Sequence, residues 1–179
     1  MARILTLSGS PSPVSRTARL LGVAARQLEA RGHQVTELEV RLLPAEVLTG
    51  ADVNHPAVLE VADLLRQSDG VVVGTPVYKA AYSGLLKCLL DLLPQYALAG
   101  RTVLPLATGG SPAHVLAVDY ALRPVLTSMG ATHVTQGWFV LDRDILTAQD
   151  GTTELSPAAA TALDGVVTGF ADALRTPVG

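Results

Sequence analysis

The sequence predicts an α/β fold built on a parallel sheet. Three observations carry that expectation. Short runs rich in Ile, Leu and Val alternate along the chain with longer segments whose apolar residues recur at helical spacing. The run Gly70-Val71-Val72-Val73 is apolar at successive positions, as a strand buried on both faces must be. Several runs end in Gly, Ser, Thr or Pro, the residues of strand-to-helix turns.

In order, the first strand is expected from Arg3 to Ser8, followed by the turn Gly9-Ser10-Pro11-Ser12-Pro13-Val14-Ser15-Arg16-Thr17. A helix then runs to about Arg31, with Leu20, Leu21, Ala24 and Leu28 on one face and Gly32 as its stop. The second strand is expected from Gln34 to Val40, then a loop containing Pro44 and Gly50, then a helix from about Pro56 to Gln67. The third strand covers Gly70 to Gly74. A loop from Thr75 to Gly84 follows it and leads into a Leu-rich helix stopped by Pro94. The fourth strand covers Thr102 to Ala107 and ends in Thr108-Gly109-Gly110-Ser111, before a helix from about Ala113 to Met129. The fifth strand covers His133 to Val140. A polar loop from Asp142 to Ser156 precedes a last helix to about Leu174. Five such units fit the flavodoxin-like strand order 2-1-3-4-5, a five-stranded parallel sheet with helices on both faces. Residues 1–179 read as one domain.

Composition narrows the function. The 179 residues carry a formal net charge of only −3 and no basic block, so no nucleic-acid partner and no anionic membrane surface is expected. No stretch approaches the roughly 20 apolar residues that span a bilayer. The single cysteine, Cys88, excludes an internal disulfide and a Cys-cluster metal site, and fits a reducing, cytoplasmic setting. The four histidines are scattered, so no metal is expected.

In the predicted order, the loops after strands one, three and four meet at the switch point, outside the carboxyl ends of the strands. Ser8, Ser10, Ser15, Arg16 and Thr17 put hydroxyls and a positive charge around a helix start, which suits a phosphate. Ser15 reads equally well as a helix N-cap. The loop Thr75-Pro76-Val77-Tyr78-Lys79 combines amides with an aromatic face. Thr108-Gly109-Gly110-Ser111 offers unshielded amides for the edge of a flat heterocycle, or a plain turn with Pro112 at a helix start. The chain has no G-x-x-x-x-G-K-[ST] and no G-x-G-x-x-G after the first strand, so a P-loop and a dinucleotide Rossmann site are excluded. No acidic residue ends strand one or three, which disfavours a receiver domain.

Two features concern helices. Leu85, Leu86, Leu89, Leu90, Leu92 and Leu93 cover an arc of roughly 160°, wide for a surface helix. That width predicts burial against both the sheet and a second subunit. Pro124 has no N–H for the carbonyl of Tyr120, so the helix is expected to kink or to form a π-bulge there.

Gly9-Ser10-Pro11, Ser15-Arg16, the run from Thr75 to Gly84, and Leu104 to Gly110 resemble the NADPH-dependent FMN reductases. The likeness runs on through His114 to Pro124 and is nearest to the alkanesulfonate-utilisation FMN reductases. The resemblance implies a flavodoxin-like fold, FMN and NADPH as flavin and reductant, and assembly as homodimers or homotetramers with Tyr120 in a π-helix at the interface. It implies that Ser10, Ser15, Arg16 and Thr17 hold the FMN phosphate, and that Pro76, Val77, Tyr78 and Lys79 hold the isoalloxazine. Thr108, Gly109, Gly110 and Ser111 take its other edge. The family often has Arg after Gly-Ser-Pro. Here that place is Ser12, so Arg16 carries the phosphate charge alone. The function expected is an NAD(P)H-dependent FMN reductase that supplies reduced flavin to a two-component flavin-dependent monooxygenase. An FMN-bound quinone or azo reductase, and a flavodoxin-like electron carrier, are the alternatives. No acid–base catalyst is expected, because the cofactor carries the chemistry.

Overall fold

The computed structural model describes residues 1–175. Strands β1 (Arg3–Ser8), β2 (Gln34–Glu39), β3 (Gly70–Tyr78) and β5 (Thr102–Gly109) form a parallel sheet in the order β2-β1-β3-β5. A short strand β4 (Ala81–Tyr82) turns back antiparallel on the end of β3. The far edge is one strand in two pieces, β6 (His133–Val134) and β7 (Trp138–Leu141), both parallel to β5. Allowing for that split, the order is the expected 2-1-3-4-5.

Side-chain alternation divides the core into two layers. Leu5, Leu7, Val71, Val73 and Val103 face one side, under α3 (Pro56–Gln67), α4 (Gly84–Leu92) and α5 (Arg123–Ser128). Ile4, Val72, Leu104 and Leu106 face the other, under α1 (Arg16–Ala30) and α6 (Pro157–Arg175). The predicted face of α1 is the buried one: Leu20, Leu21, Ala24 and Leu28 are all within it, and each buried Leu contributes roughly 1.5–3 kcal/mol. Gly32, at φ 83°, ends α1. Its N–H bonds the Glu29 carbonyl and the His33 N–H bonds that of Leu28, which closes the last turn as a Schellman motif.

Five regions depart from the sequence reading. The segment expected as a loop around Pro44 and Gly50 contains a 3₁₀ turn (Val40–Leu42) and a short helix, α2 (Ala45–Gly50). Both pack on α4 and bury Val40, Val47 and Leu48 against it. Much of the wide Leu face of α4 is therefore covered by its own chain, so its width does not by itself call for a second subunit. The loop expected from Thr75 is instead strand through Tyr78, because Pro76 stays paired with Thr108 and Tyr78 pairs with Ala81.

The expected fifth strand breaks at Thr135-Gln136-Gly137. Pro105 lies opposite the break and has no N–H to give, as a proline in an inner strand requires. Gly137 is forced there, since a Cβ would sit 2.6 Å from Val118 Cγ1 and 2.8 Å from the Pro105 carbonyl oxygen. The polar loop after β7 holds a 3₁₀ turn (Asp142–Asp144) and a hairpin of β8 (Ile145–Thr147) and β9 (Thr153–Leu155) lying on α1. The helix expected from Ala113 to Met129 is broken into a 3₁₀ turn (Pro112–His114), a π turn (Val118–Leu122) and α5. The π turn falls at Tyr120, as Pro124 predicted, and the Arg123 N–H reaches back five residues to the Val118 carbonyl. Among the described residues no helix is long and apolar enough to cross a membrane.

Candidate flavin site

A cleft of about 330 Å³ opens at the carboxyl ends of β1, β3 and β5. Ten of the residues singled out in the sequence line it: Ser10, Ser15, Arg16, Thr17, Pro76, Val77, Tyr78, Thr108, Gly109 and Gly110. The switch-point argument thus brought three separate loops to one place.

The turn after β1 is held by its own side chains. The Ser10 hydroxyl accepts from the Ser12 N–H at 3.3 Å, and the Ser12 hydroxyl accepts from the Val14 N–H at 3.2 Å. Ser15 caps α1, its hydroxyl accepting from the Ala18 N–H at 3.0 Å. A hydroxyl that accepts still has its O–H to donate. The three serines therefore spend acceptor capacity on the protein and keep donors for a ligand. The amides of Arg16 and Thr17 precede the first intrahelical bond, from the Arg19 N–H to the Ser15 carbonyl. With the half-exposed Arg16 guanidinium, this is a donor-rich end that matches an acceptor-only anion such as a phosphate. N-cap and ligand roles for Ser15 are compatible.

Deeper in, the Thr17 and Thr108 hydroxyls bond each other at 2.7 Å, fully buried, and so fix α1 to the end of β5. Gly109 packs under Phe139, where a Cβ would come within 3.0 Å of the ring. Val77 is buried and Tyr78 half exposed on the other side of the cleft.

Four predicted residues lie outside the cleft lining. Ser8 is buried at the end of β1, and its hydroxyl has no hydrogen-bond partner among the described residues. Thr75 is used internally, donating to the Pro76 carbonyl and accepting from the Ser83 N–H. Lys79 stands at the tip of the β3–β4 hairpin with φ 51°. Ser111 caps the 3₁₀ turn after β5 by accepting from the Ala113 N–H. Gly9 makes room for α4. A Cβ there would lie 2.7 Å from Leu86 Cβ, and the Gly9 carbonyl accepts from the Ser83 hydroxyl.

Three lining residues escaped the sequence reading: Ser12, Val14 and Asp142. Ser12 was noted only as a missing arginine. Asp142 comes from the loop after the fifth strand, which the order 2-1-3-4-5 places beside the fourth and so within reach of the crevice. Its Oδ2 lies 3.9 Å from Arg16 Nη1.

The sequence model of the NADPH-dependent FMN reductase family matches residues 2–145, which span every strand and loop of this cleft. The chain belongs to that family. An FMN reductase (NADPH) of Pseudomonas putida is 49% identical over 82% of this chain and 74% of its own length. An FMN reductase (NADPH) of Escherichia coli is 44% identical over 97% of this chain and 90% of its own. Among solved structures, an apo NADH:FMN oxidoreductase superposes with a TM-score of 0.87 at 42% identity, covering 97% of this chain and 90% of the other. As an FMN reductase family member the chain takes FMN and NAD(P)H, and the donor-rich end of its cleft fits the phosphate that distinguishes FMN from riboflavin.

Proposed function

We propose that this FMN reductase works in the cytoplasm and passes reduced FMN to a two-component, alkanesulfonate-type flavin-dependent monooxygenase. The observation that carries this reading is the phosphate end itself. It offers many hydroxyl and amide donors but one full positive charge, Arg16, more than half exposed. Such an end selects FMN and also lets it go. FMN, when bound, supplies the ring that accepts hydride from the nicotinamide. The protein's part is placement. Arg16, Ser10, Ser12, Ser15 and the first amides of α1 take the phosphate. The buried Thr17–Thr108 bond sets the spacing between that end and the ring end. Pro76, Val77 and Tyr78 offer a surface to the isoalloxazine, Gly109 and Gly110 offer its edge unshielded backbone, and Lys79 stands at the rim. Arg16, Asp142 and Tyr78 are the ionisable groups of the lining.

Arg16→Ala should weaken FMN binding by roughly 1.5–3 kcal/mol, the range for hydrogen bonds to a charged group. Riboflavin should be affected far less. Flavin fluorescence titration reads both, and an equal loss for the two flavins would refute the assignment. We also assign Tyr120 to the interface of a homodimer or homotetramer. It is 78% exposed and neighbours in sequence the exposed Val115 and Leu116. Sedimentation of Tyr120→Ala should show a smaller assembly than wild type; an unchanged one would remove Tyr120 from the interface.

A further inference from the structure

The cleft lining has one cation, Arg16, and one carboxylate, Asp142, and the two face each other at 3.9 Å. Asp142 is not there by looseness of its loop. The preceding residue, Leu141, pairs with Gly109 at the end of β5. The following turn runs into the β8–β9 hairpin, which is pinned to α1 by the Arg19 guanidinium donating to the Thr147 hydroxyl at 2.6 Å. Held from both sides, the carboxylate stands between two cleft loops. It reaches Arg16 on one side, and a Cβ on Gly110 would lie 4.0 Å from its Oδ2 on the other. A phosphate drawn to Arg16 must therefore share that guanidinium with a carboxylate.

We propose that Asp142 is the affinity-setting residue of the cleft: its carboxylate competes with the FMN phosphate for Arg16 and keeps FMN an exchanging substrate. This rests on the reading of the α1 end as the phosphate site. Two anions sharing one guanidinium repel across a few ångströms. The ligand carries the second anion only when it is FMN, so riboflavin escapes the penalty. The effect is electrostatic and screened by salt, because Asp142 and Arg16 are both partly exposed, at 34% and 57%.

The test is Asp142→Asn, a nearly isosteric change, titrated with FMN and with riboflavin at low salt and in 1 M NaCl. FMN should bind on the order of tenfold tighter than to wild type at low salt, as expected for removing a like charge a few ångströms from the phosphate. Riboflavin should change by less than about twofold, and high salt should shrink the FMN effect several-fold. Unchanged or weaker FMN binding would overturn the proposal. So would an equal change for both flavins, which would make Asp142 a partner of the ribityl chain. Arg16→Ala, titrated in parallel, separates the two levels. If Arg16→Ala discriminates FMN from riboflavin and Asp142→Asn does not, this inference alone fails. If Arg16→Ala does not discriminate, the phosphate assignment fails and this inference with it.

Discussion

On the α1 side of the cleft, every turn between Gly9 and Ala18 is fixed by a local bond: Ser10 to Ser12, Ser12 to Val14, Ser15 to Ala18, with Pro11 and Pro13 between them. On the β3 side, the hairpin turn at Lys79 and Ala80 has φ of 51° and 63°, and the neighbouring π turn departs from helical bonding. Tyr78 and Tyr120 stand exposed on these elements. One side spends residues on holding a shape, and the other holds shapes that its residues disfavour. On the proposed reading, the first is the phosphate end, which always meets the same group, and the second is the ring end, which accepts a flavin and a nicotinamide and releases both.

The largest expected effect breaks the fixed side. Gly9→Ala puts a Cβ 2.7 Å from Leu86 Cβ, an atom next to the backbone that cannot swing away. Ser83 further ties this point down, bonding the Gly9 carbonyl and capping α4 at the Leu86 N–H. Overpacking at such a point should cost about 2–3 kcal/mol. For a chain of this length that lowers Tm by roughly 5–10 °C. A Tm within a degree or two of wild type would mean that the turn moves freely over α4, and the contrast between the two sides would lose its first half.

How much of this was legible in the sequence differs along the same line. β1 and α3 have the predicted bounds, because their patterns are local: an apolar run closed by Gly9, and Pro56 opening an amphipathic segment closed at Gln67. The α1 side of the cleft was legible for the same reason, since serines two and three residues apart at a helix start cap and turn locally. The β3 side was not. Pairing of Tyr78 with Ala81 wins over the turn reading of Thr75 to Lys79, and nothing in Lys79-Ala80 marks a hairpin, which normally asks for Asn-Gly. The break in the far strand follows from Pro105 lying opposite it, a partner that sequence alone does not name. Asp142 was missed because a lone aspartate after a strand carries no pattern. The fit of α2 onto α4 was missed because six residues around Val47 and Leu48 are too few for a period.

The second prediction asks what holds the irregular side. Arg123 donates to Asp119 at 2.9 Å, to the Val134 carbonyl at 2.7 Å and to the Thr135 carbonyl at 3.1 Å. It therefore ties the π turn to the break between β6 and β7. The two irregularities support each other, with Val118 filling the space above Gly137. Arg123→Ala should cost about 2 kcal/mol, since two carbonyls lose a charged donor. Pro124→Ala should cost or gain less than about 1 kcal/mol, because a proline in the first turn of a helix gives up no bond. Urea denaturation of both variants ranks them. If Pro124→Ala proves the more damaging, the π turn is set by the missing N–H and not by its packing on the strand break.

The smallest expected effect concerns the hairpin tip. A two-residue turn with both φ positive is type I′, and Asn-Gly is its preferred pair. Lys79 and Ala80 carry a Cβ in a region that costs an L-residue roughly 1–2 kcal/mol. Replacing both, as Lys79→Asn with Ala80→Gly, removes most of that strain. Glycine returns some of the gain through the unfolded chain, roughly 0.5–1 kcal/mol. The net expectation is a stabilisation of about 1 kcal/mol, read as a higher urea midpoint with an unchanged m-value. Lys79 is exposed and lies outside the cleft lining, so FMN affinity should stay within about twofold if the strain is confined to the turn. A larger change in affinity would show that the turn's strain reaches the ring end through Tyr78. No stabilisation at all would show that the turn is relaxed as it stands, and the β3 side would then hold its shape as comfortably as the α1 side does.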